Sequence, residues 1–278
     1  MYTAVKKELL ASLIISTYKN TEFLKVVLNS VLAQSDMRFE IIISEDAEHE
    51  HVKAFVGQFK SPVPLYHLTQ PDIGWRKNLA LNRAIAASNT DYLVFIDEDC
   101  VLHPRFMEFH IKWADKKTIL AGKRIKLDAY SSKLILDGKL SADRMNAYLL
   151  SNYLSIRKNG ARFIEEGFFI NPNGALAFIP RLRTMHQLKG CNMSFPKSAI
   201  YAINGFDEDY SRPAIGEDID LTWRFAKAGY KLKSVRNVAV QYHLYHKENW
   251  SNQEENIRMM LEKQKRNEFI CKNGLVKL

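Results

Sequence analysis

The chain has 278 residues and a formal net charge of +9, with 46% apolar and 26% charged residues. A chain of this length buries a full core without disulfide or metal staples, and the balance is that of a water-soluble globular protein. No run is long enough for a membrane-spanning helix, and Leu9 to Ile15 is not followed by a cleavage site, so neither an anchor nor a signal peptide is expected.

In chain order, "SLIIST" (Ser12 to Thr17) is a short apolar run, the pattern of a strand covered on both faces. Thr21 is placed to cap the helix that follows, whose Leu24, Val27, Leu28 and Val31 repeat at helical spacing. "FEIIIS" (Phe39 to Ser44) and "LYHL" (Leu65 to Leu68) are the next strands, and a helix over about 76–87 leads into the strand "YLVFI" (Tyr92 to Ile96). Strands alternating with helices mean a mostly parallel sheet, and ligands bind beyond the carboxyl ends of such strands. Thr17, Glu45, Asp46 and the acids Asp97, Glu98 and Asp99 all fall at those ends.

Residues 123–189 are less regular, with one helix expected over about 142–156, and read as an insertion on the acceptor side. Residues 1–122 form the first half, 190–250 a second half, and 251–278 a charged C-terminal helix and tail, all within one domain. In the second half, "IGEDIDLTWRFAKAGY" opens a helix with Glu217 and Asp218 and is expected to turn Ile219, Trp223 and Ala226 to the core. His243 and His246 stand at i, i+3 after a short strand.

In an extended strand end Asp97 and Asp99 share a direction and Glu98 points away. Two co-directed carboxylates hold a hard divalent cation; the other reading is an acidic turn neutralised by Arg or Lys. Likewise Asp218 reads either as an acid favoured at a helix start or as part of a site. A histidine added to the carboxylates favours Mn²⁺ over Mg²⁺. No G-x-G-x-x-G, P-loop or G-x-S-x-G is present, which argues against dinucleotide redox enzymes, P-loop NTPases and α/β-hydrolases.

Cys100, Cys191 and Cys271 are scattered and form no paired-Cys signature, which points to a reducing compartment and a cytoplasmic location. Basic clusters at Lys112 to Lys126, Arg181 to Lys189 and the C-terminal tail suit a polyanion. Without a nucleic-acid signature, no nucleic-acid partner is expected; an anionic membrane surface, touched peripherally from the cytoplasmic side, is.

The ordered set "SLIISTYKN", "EIIISEDAE", "IGWRKNLALNRAI", "YLVFIDEDC", "KGCNMSF", "INGFDEDY" and "IGEDIDLTWRFAKAGY" resembles glycosyltransferase family 2, with the GT-A fold. The second half is similar to the carboxyl-terminal module of β-1,4-galactosyltransferases and chondroitin-type polymerases, and the resemblance runs from about Ser12 to Lys247 outside the insertion. It implies a Rossmann-like α/β sheet flanked by helices, and a metal-dependent inverting transfer from a UDP-sugar to a hydroxyl of a glycan or lipid-linked acceptor, as in surface polysaccharide or glycolipid synthesis. The group moved is a hexose or N-acetylhexosamine.

Position by position, the resemblance implies that Thr17 and Tyr18 begin the nucleotide pocket, Glu45 and Asp46 meet base and ribose, and Arg76 neutralises phosphate. Asp97, Glu98 and Asp99 match the D-x-D motif, with Asp97, Asp99 and His243 as ligands of Mn²⁺ or Mg²⁺. Asp218 is the general base, and Glu217 holds the acceptor. The chain departs from the pattern at "SEDAE" after the second strand, at Leu81, and before Gly216, where Pro213 and Ala214 replace the usual aromatic. Two alternatives are a nucleotidyltransferase making nucleotide sugars, which would want a Gly-rich loop where "STYKN" stands, and a non-catalytic protein that binds anionic surfaces.

Overall fold

The structure is a computed structural model and describes residues 8–213, 215–247 and 252–278. The first half runs β1 (Ala11–Thr17), α1 (Thr21–Leu32), β2 (Phe39–Glu45), α2 (Glu50–Gln58), β3 (Leu65–Leu68), α3 (Lys77–Ala87), β4 (Tyr92–Asp97), β5 (Cys100–Leu102), α4 (Phe106–Lys112) and β6 (Thr118–Ala121). Then follow β7 (Ile125–Lys126), α5 (Ala129–Leu136), α6 (Met145–Lys158), α7 (Phe178–Leu182), β8 (Met193–Pro196), α8 (Lys197–Ala202), α9 (Asp220–Lys227), β9 (Lys231–Ser234), β10 (Gln241–His243) and α10 (Glu254–Lys265).

The central sheet has the order β3-β2-β1-β4-β8-β6-β9. It is a mostly parallel α/β sheet, in which only β8 runs against its neighbours β4 and β6. Its apolar strands alternate between two cores. Leu13, Ile15, Ile41, Ile43, Val94 and Ile96 join α1 on one face, while Ile14, Ile42, Leu93 and Phe95 join α3, α8 and α9 on the other. Each such side chain is fully or almost fully buried, and each contributes roughly 1.5–3 kcal/mol by leaving water.

A smaller sheet has the order β5-β10-β7 and carries His243. Apolar residues of 123–189, among them Ile125, Leu127, Ile135, Met145 and Leu149, belong to the same core as β1 and α1. The irregular segment is therefore packed into the body of the domain. Among the described residues no helix is long and apolar enough to cross a membrane.

Two local expectations are corrected. The cap of α1 is Asn20, whose side chain accepts from the Phe23 N–H at 3.0 Å, while Thr21 is already the first helical residue. The core face of α9 is Leu221, Arg224 and Phe225 rather than Ile219, Trp223 and Ala226. A π-turn over Ile215–Ile219 rotates the helix that follows away from a plain 3.6-residue reading.

Candidate functional site

Parallel register lines up the carboxyl ends of three strands, with Thr17 beside Glu45 and Ser16 beside Asp97. Beyond them lies a cavity of about 470 Å³, whose lining includes Thr17, Tyr18, Asp46, Lys77, Asp97, Glu98 and Asp99. Thr17 Oγ1 is buried there without a hydrogen-bond partner. A second cavity of about 470 Å³ shares Lys77 and Asp97 as a wall and is lined on its far side by Gly190, Glu217 and Asp218.

The three acids at the end of β4 and just beyond it face three ways, so the expected common direction of Asp97 and Asp99 is not met. The chain turns after Asp97 instead of staying extended. Asp97 Oδ1 accepts from Lys77 Nζ at 2.9 Å, and its Oδ2 lies 3.3 Å from Arg124. Glu98, half-buried, turns to the loop after β1, where burial pushes its carboxyl up to about 8 against the backbone N–H groups of Tyr18 and Asn20. Asp99 Oδ2 lies 3.0 Å from His243 Nε2 and 3.1 Å from His246 Nε2, and those two nitrogens are 3.3 Å apart. Burial works against charge on Asp99, yet the hydrogen bonds from both histidines hold its carboxyl well below the usual range.

The structure thus brings Asp99 and His243 together, adds His246, and leaves Asp97 to two cations. One carboxylate oxygen and two imidazole nitrogens, all within 4.8 Å of one another, are a donor set that suits Mn²⁺ or a similar divalent ion. Residues 248–251, which follow these histidines, lie outside the described residues.

Other expected contacts land elsewhere. Glu45 turns from the cavity to His67, 2.8 Å away. The Arg76 guanidinium donates to the Pro71 carbonyl at 2.5 Å and lines neither cavity. It is Lys77, one residue on at the first turn of α3, that reaches the site. Asp46 does face the cavity, but its oxygens already accept from Gln70 Nε2 at 2.6 Å and the Arg76 N–H at 2.7 Å; burial raises its pKa. The acidic loop Asp207 to Asp209 is taken up by Lys263 of α10, with Asp207 2.5 Å away and Asp209 2.7 Å.

Glu217 and Asp218 sit in the π-turn, held from two sides. Asn78 of α3 donates to the Gly216 and Asp207 carbonyls at 2.9 and 2.7 Å. Thr222 Oγ1 donates to the Asp218 carbonyl at 2.8 Å and accepts from the Leu188 N–H at 3.0 Å, tying the 188–190 segment to the helix. Gly216 is required because a Cβ there would overlap the Tyr210 side chain, and at Gly190 a Cβ would push Glu217 Oε1 aside. The Gly190 N–H donates to Asp218 Oδ2 at 3.3 Å.

Lys77 Nζ is 2.5 Å from Glu217 Oε1 and so bridges the two acidic clusters. Burial opposes its charge, but Asp97 and Glu217 overcome that and raise its pKa. Burial pushes Glu217 up to about 7 despite Lys77, with Asp97 and Asp218 adding to the rise. Burial also raises Asp218, while the Lys189 charge and the Gly190 N–H pull it back.

Sequence reasoning missed Lys77, Arg124, Gly190 and Asn78. Lys77 and Asn78 stand beside Arg76 in "WRKN". The cysteines, scattered in the sequence, are not all scattered in the fold, which sets Cys100 and Cys191 close together near Asp97, both free and buried.

Residues 12–171 match the model of glycosyl transferase family 2, and residues 179–247 match a model described as the N-terminal domain of galactosyltransferase. The chain is 23% identical over 234 residues to validoxylamine A glucosyltransferase of Streptomyces hygroscopicus subsp. jinggangensis, covering 79% of this chain and 52% of that protein. It spans about half the length of that relative. Over 35% of its length it is 28% identical to an uncharacterized glycosyltransferase of Nostoc, covering 30% of that protein.

Among solved structures, a mannosyltransferase from Pyrobaculum calidifontis in complex with GDP-Man and Mn²⁺ aligns over 94% of this chain and 65% of its own, with TM-score 0.57 and 16% identity. TarS of S. aureus aligns over 92% of this chain and 39% of its own, with TM-score 0.54 and 13% identity. A shorter TarS chain in complex with UDP aligns over 84% and 60%, with TM-score 0.51 and 13% identity. The mostly parallel sheet of these neighbours is the GT-A arrangement seen here. With more than half of its length matched by the family model, this chain belongs to glycosyl transferase family 2.

Proposed function

We propose that the chain is a metal-dependent inverting glycosyltransferase that moves a hexose or N-acetylhexosamine from a UDP-sugar to a hydroxyl of a glycan or lipid-linked acceptor. One observation carries the reading. Asp99, the carboxylate of the carboxylate–imidazole cluster, lines one cavity and Asp218 the next, and the two cavities share a wall at Lys77 and Asp97. The complexes of the neighbours with UDP and with GDP-Man and Mn²⁺ support a nucleotide-sugar donor.

Transfer with inversion is a single displacement. The acceptor oxygen bonds to the anomeric carbon as the bond from that carbon to the diphosphate oxygen breaks, and the hydroxyl proton goes to Asp218. Asp99, His243 and His246 are the residues to hold a divalent cation, which when bound offsets the charge of the leaving diphosphate. Thr17 Oγ1, buried and unpartnered, is free to meet the nucleotide. Lys77 keeps Asp97 and Glu217 from repelling an anionic donor, and Glu217 fixes the acceptor side beside the base.

The reading is tested by thermal unfolding with a panel of nucleotide sugars and Mn²⁺, since a ligand that binds only the folded state raises the midpoint. Protection by UDP-sugars that disappears with chelator supports it. No protection by any nucleotide sugar counts against it.

A further inference from the structure

The cavity that holds Asp218 has more cationic than acidic groups in its walls. Lys77, Lys123, Arg124, Lys126 and Lys189 line it, against Asp97, Glu217 and Asp218. Lys77 is engaged by Asp97 and Glu217, and Arg124 by Asp97. Lys123 reaches Glu166 at 3.9 Å, but Arg183 and Arg236 already hold that carboxylate. Lys189, half-buried, makes no side-chain hydrogen bond or ion pair among the described residues, and its charge acts on Asp218 from a distance.

A half-buried ammonium group without a close counter-ion, as at Lys189, is poorly compensated by the protein itself. These cations are also not those of the donor cavity, which Lys123 and Lys189 do not line. Phe163, held at φ 57° and half exposed, stands in the same wall and offers a flat apolar face to a sugar ring.

We propose that the acceptor is an anionic saccharide, carrying a phosphate or carboxylate near the hydroxyl to be glycosylated, and that Lys189 and Lys123 receive this oxyanion. The proposal rests on the assignment of Asp218 to the acceptor side made above. Ammonium-to-oxyanion hydrogen bonds are charge-assisted and select strongly against a neutral analogue.

The test titrates the full chain, by calorimetry, with glucose 6-phosphate, glucuronate and glucose, first with saturating UDP and Mn²⁺ and then without nucleotide. Both anionic probes, or one of them, should bind about ten-fold tighter than glucose, and which one does so tells phosphate from carboxylate. Lys189→Met should remove most of that preference and leave UDP affinity unchanged. Lys123→Met, whose ammonium already has Glu166 at 3.9 Å, should weaken it in part.

Equal binding of charged and neutral probes overturns the proposal, as does a preference that survives both substitutions. Loss of UDP affinity in Lys189→Met also overturns it, by assigning the cation to the donor. Failure of UDP to bind the unaltered chain counts against the donor reading, and the nucleotide-free titration then still decides the nature of the acceptor.

Discussion

Lys77 Nζ stands 2.9 Å from Asp97 Oδ1 and 2.5 Å from Glu217 Oε1, so one half-buried ammonium joins the end of β4 to the turn that carries Asp218. Lys77→Met would leave two partly buried carboxylates without their shared counter-ion. Removing one partner from such a pair costs about 3–5 kcal/mol, which urea unfolding should detect. Lys77→Arg keeps the charge and should recover part of the loss. Unchanged stability in Lys77→Met would show that the bridge is dispensable.

Gly190 gives a prediction of a different kind. Its missing Cβ makes room for Glu217, and its N–H donates to Asp218. Gly190→Ala should therefore displace the acid pair and cut turnover by about 10²-fold, with nucleotide affinity unchanged because the first cavity does not include it. A matched fall in both would place Gly190 in donor binding.

The cluster of Asp99, His243 and His246 should make activity depend on a divalent ion. Chelation should abolish turnover, and Mn²⁺ should restore it better than Ca²⁺, because imidazole suits the softer ion. Asp99→Ala should lose metal-dependent nucleotide binding without unfolding. Full turnover in excess chelator would contradict this.

The pH dependence follows from burial of the acid pair. Asp218, raised above its ordinary 3.8, must be ionised to take a proton, so turnover should fall on the acid side at a pH above that value. For stability the sign is opposite. Glu217 binds its proton more tightly folded, at about 7, than at its ordinary 4.5. Its contribution is fully present below 4.5 and is lost as pH rises through about 7. Melting across that window should decline more steeply in the unaltered chain than in Glu217→Gln; parallel curves would rule the shift out.

Much of this was legible in the residues. The apolar runs of β1, β2 and β4 mark strands buried on both faces, and the acids at their ends mark where a ligand meets a parallel sheet. The rest depended on partners distant in the chain. Nothing local in "DED" tells that Asp97 turns to Lys77 and Arg124 while Asp99 turns to β10. Nor does "GED" announce a π-turn, which shifts the helical face by one residue and puts Arg224, paired with Asp220 at 3.0 Å, into the core. Arg76 and Lys77 are adjacent cations, and only the start of α3 decides which one enters the site.

The central claim, that Asp218 is the base of a nucleotide-sugar transfer, is tested most directly by nucleotide release. UDP release would be followed from a panel of UDP-sugars with Mn²⁺ and an accepted acceptor, for the unaltered chain and for Asp218→Asn. The substitution keeps the size of the side chain but removes the group that takes the proton. Turnover should fall by about 10²- to 10⁴-fold, with the affinity for UDP unchanged. Asp218→Asn that transfers sugar at the unaltered rate would contradict the account.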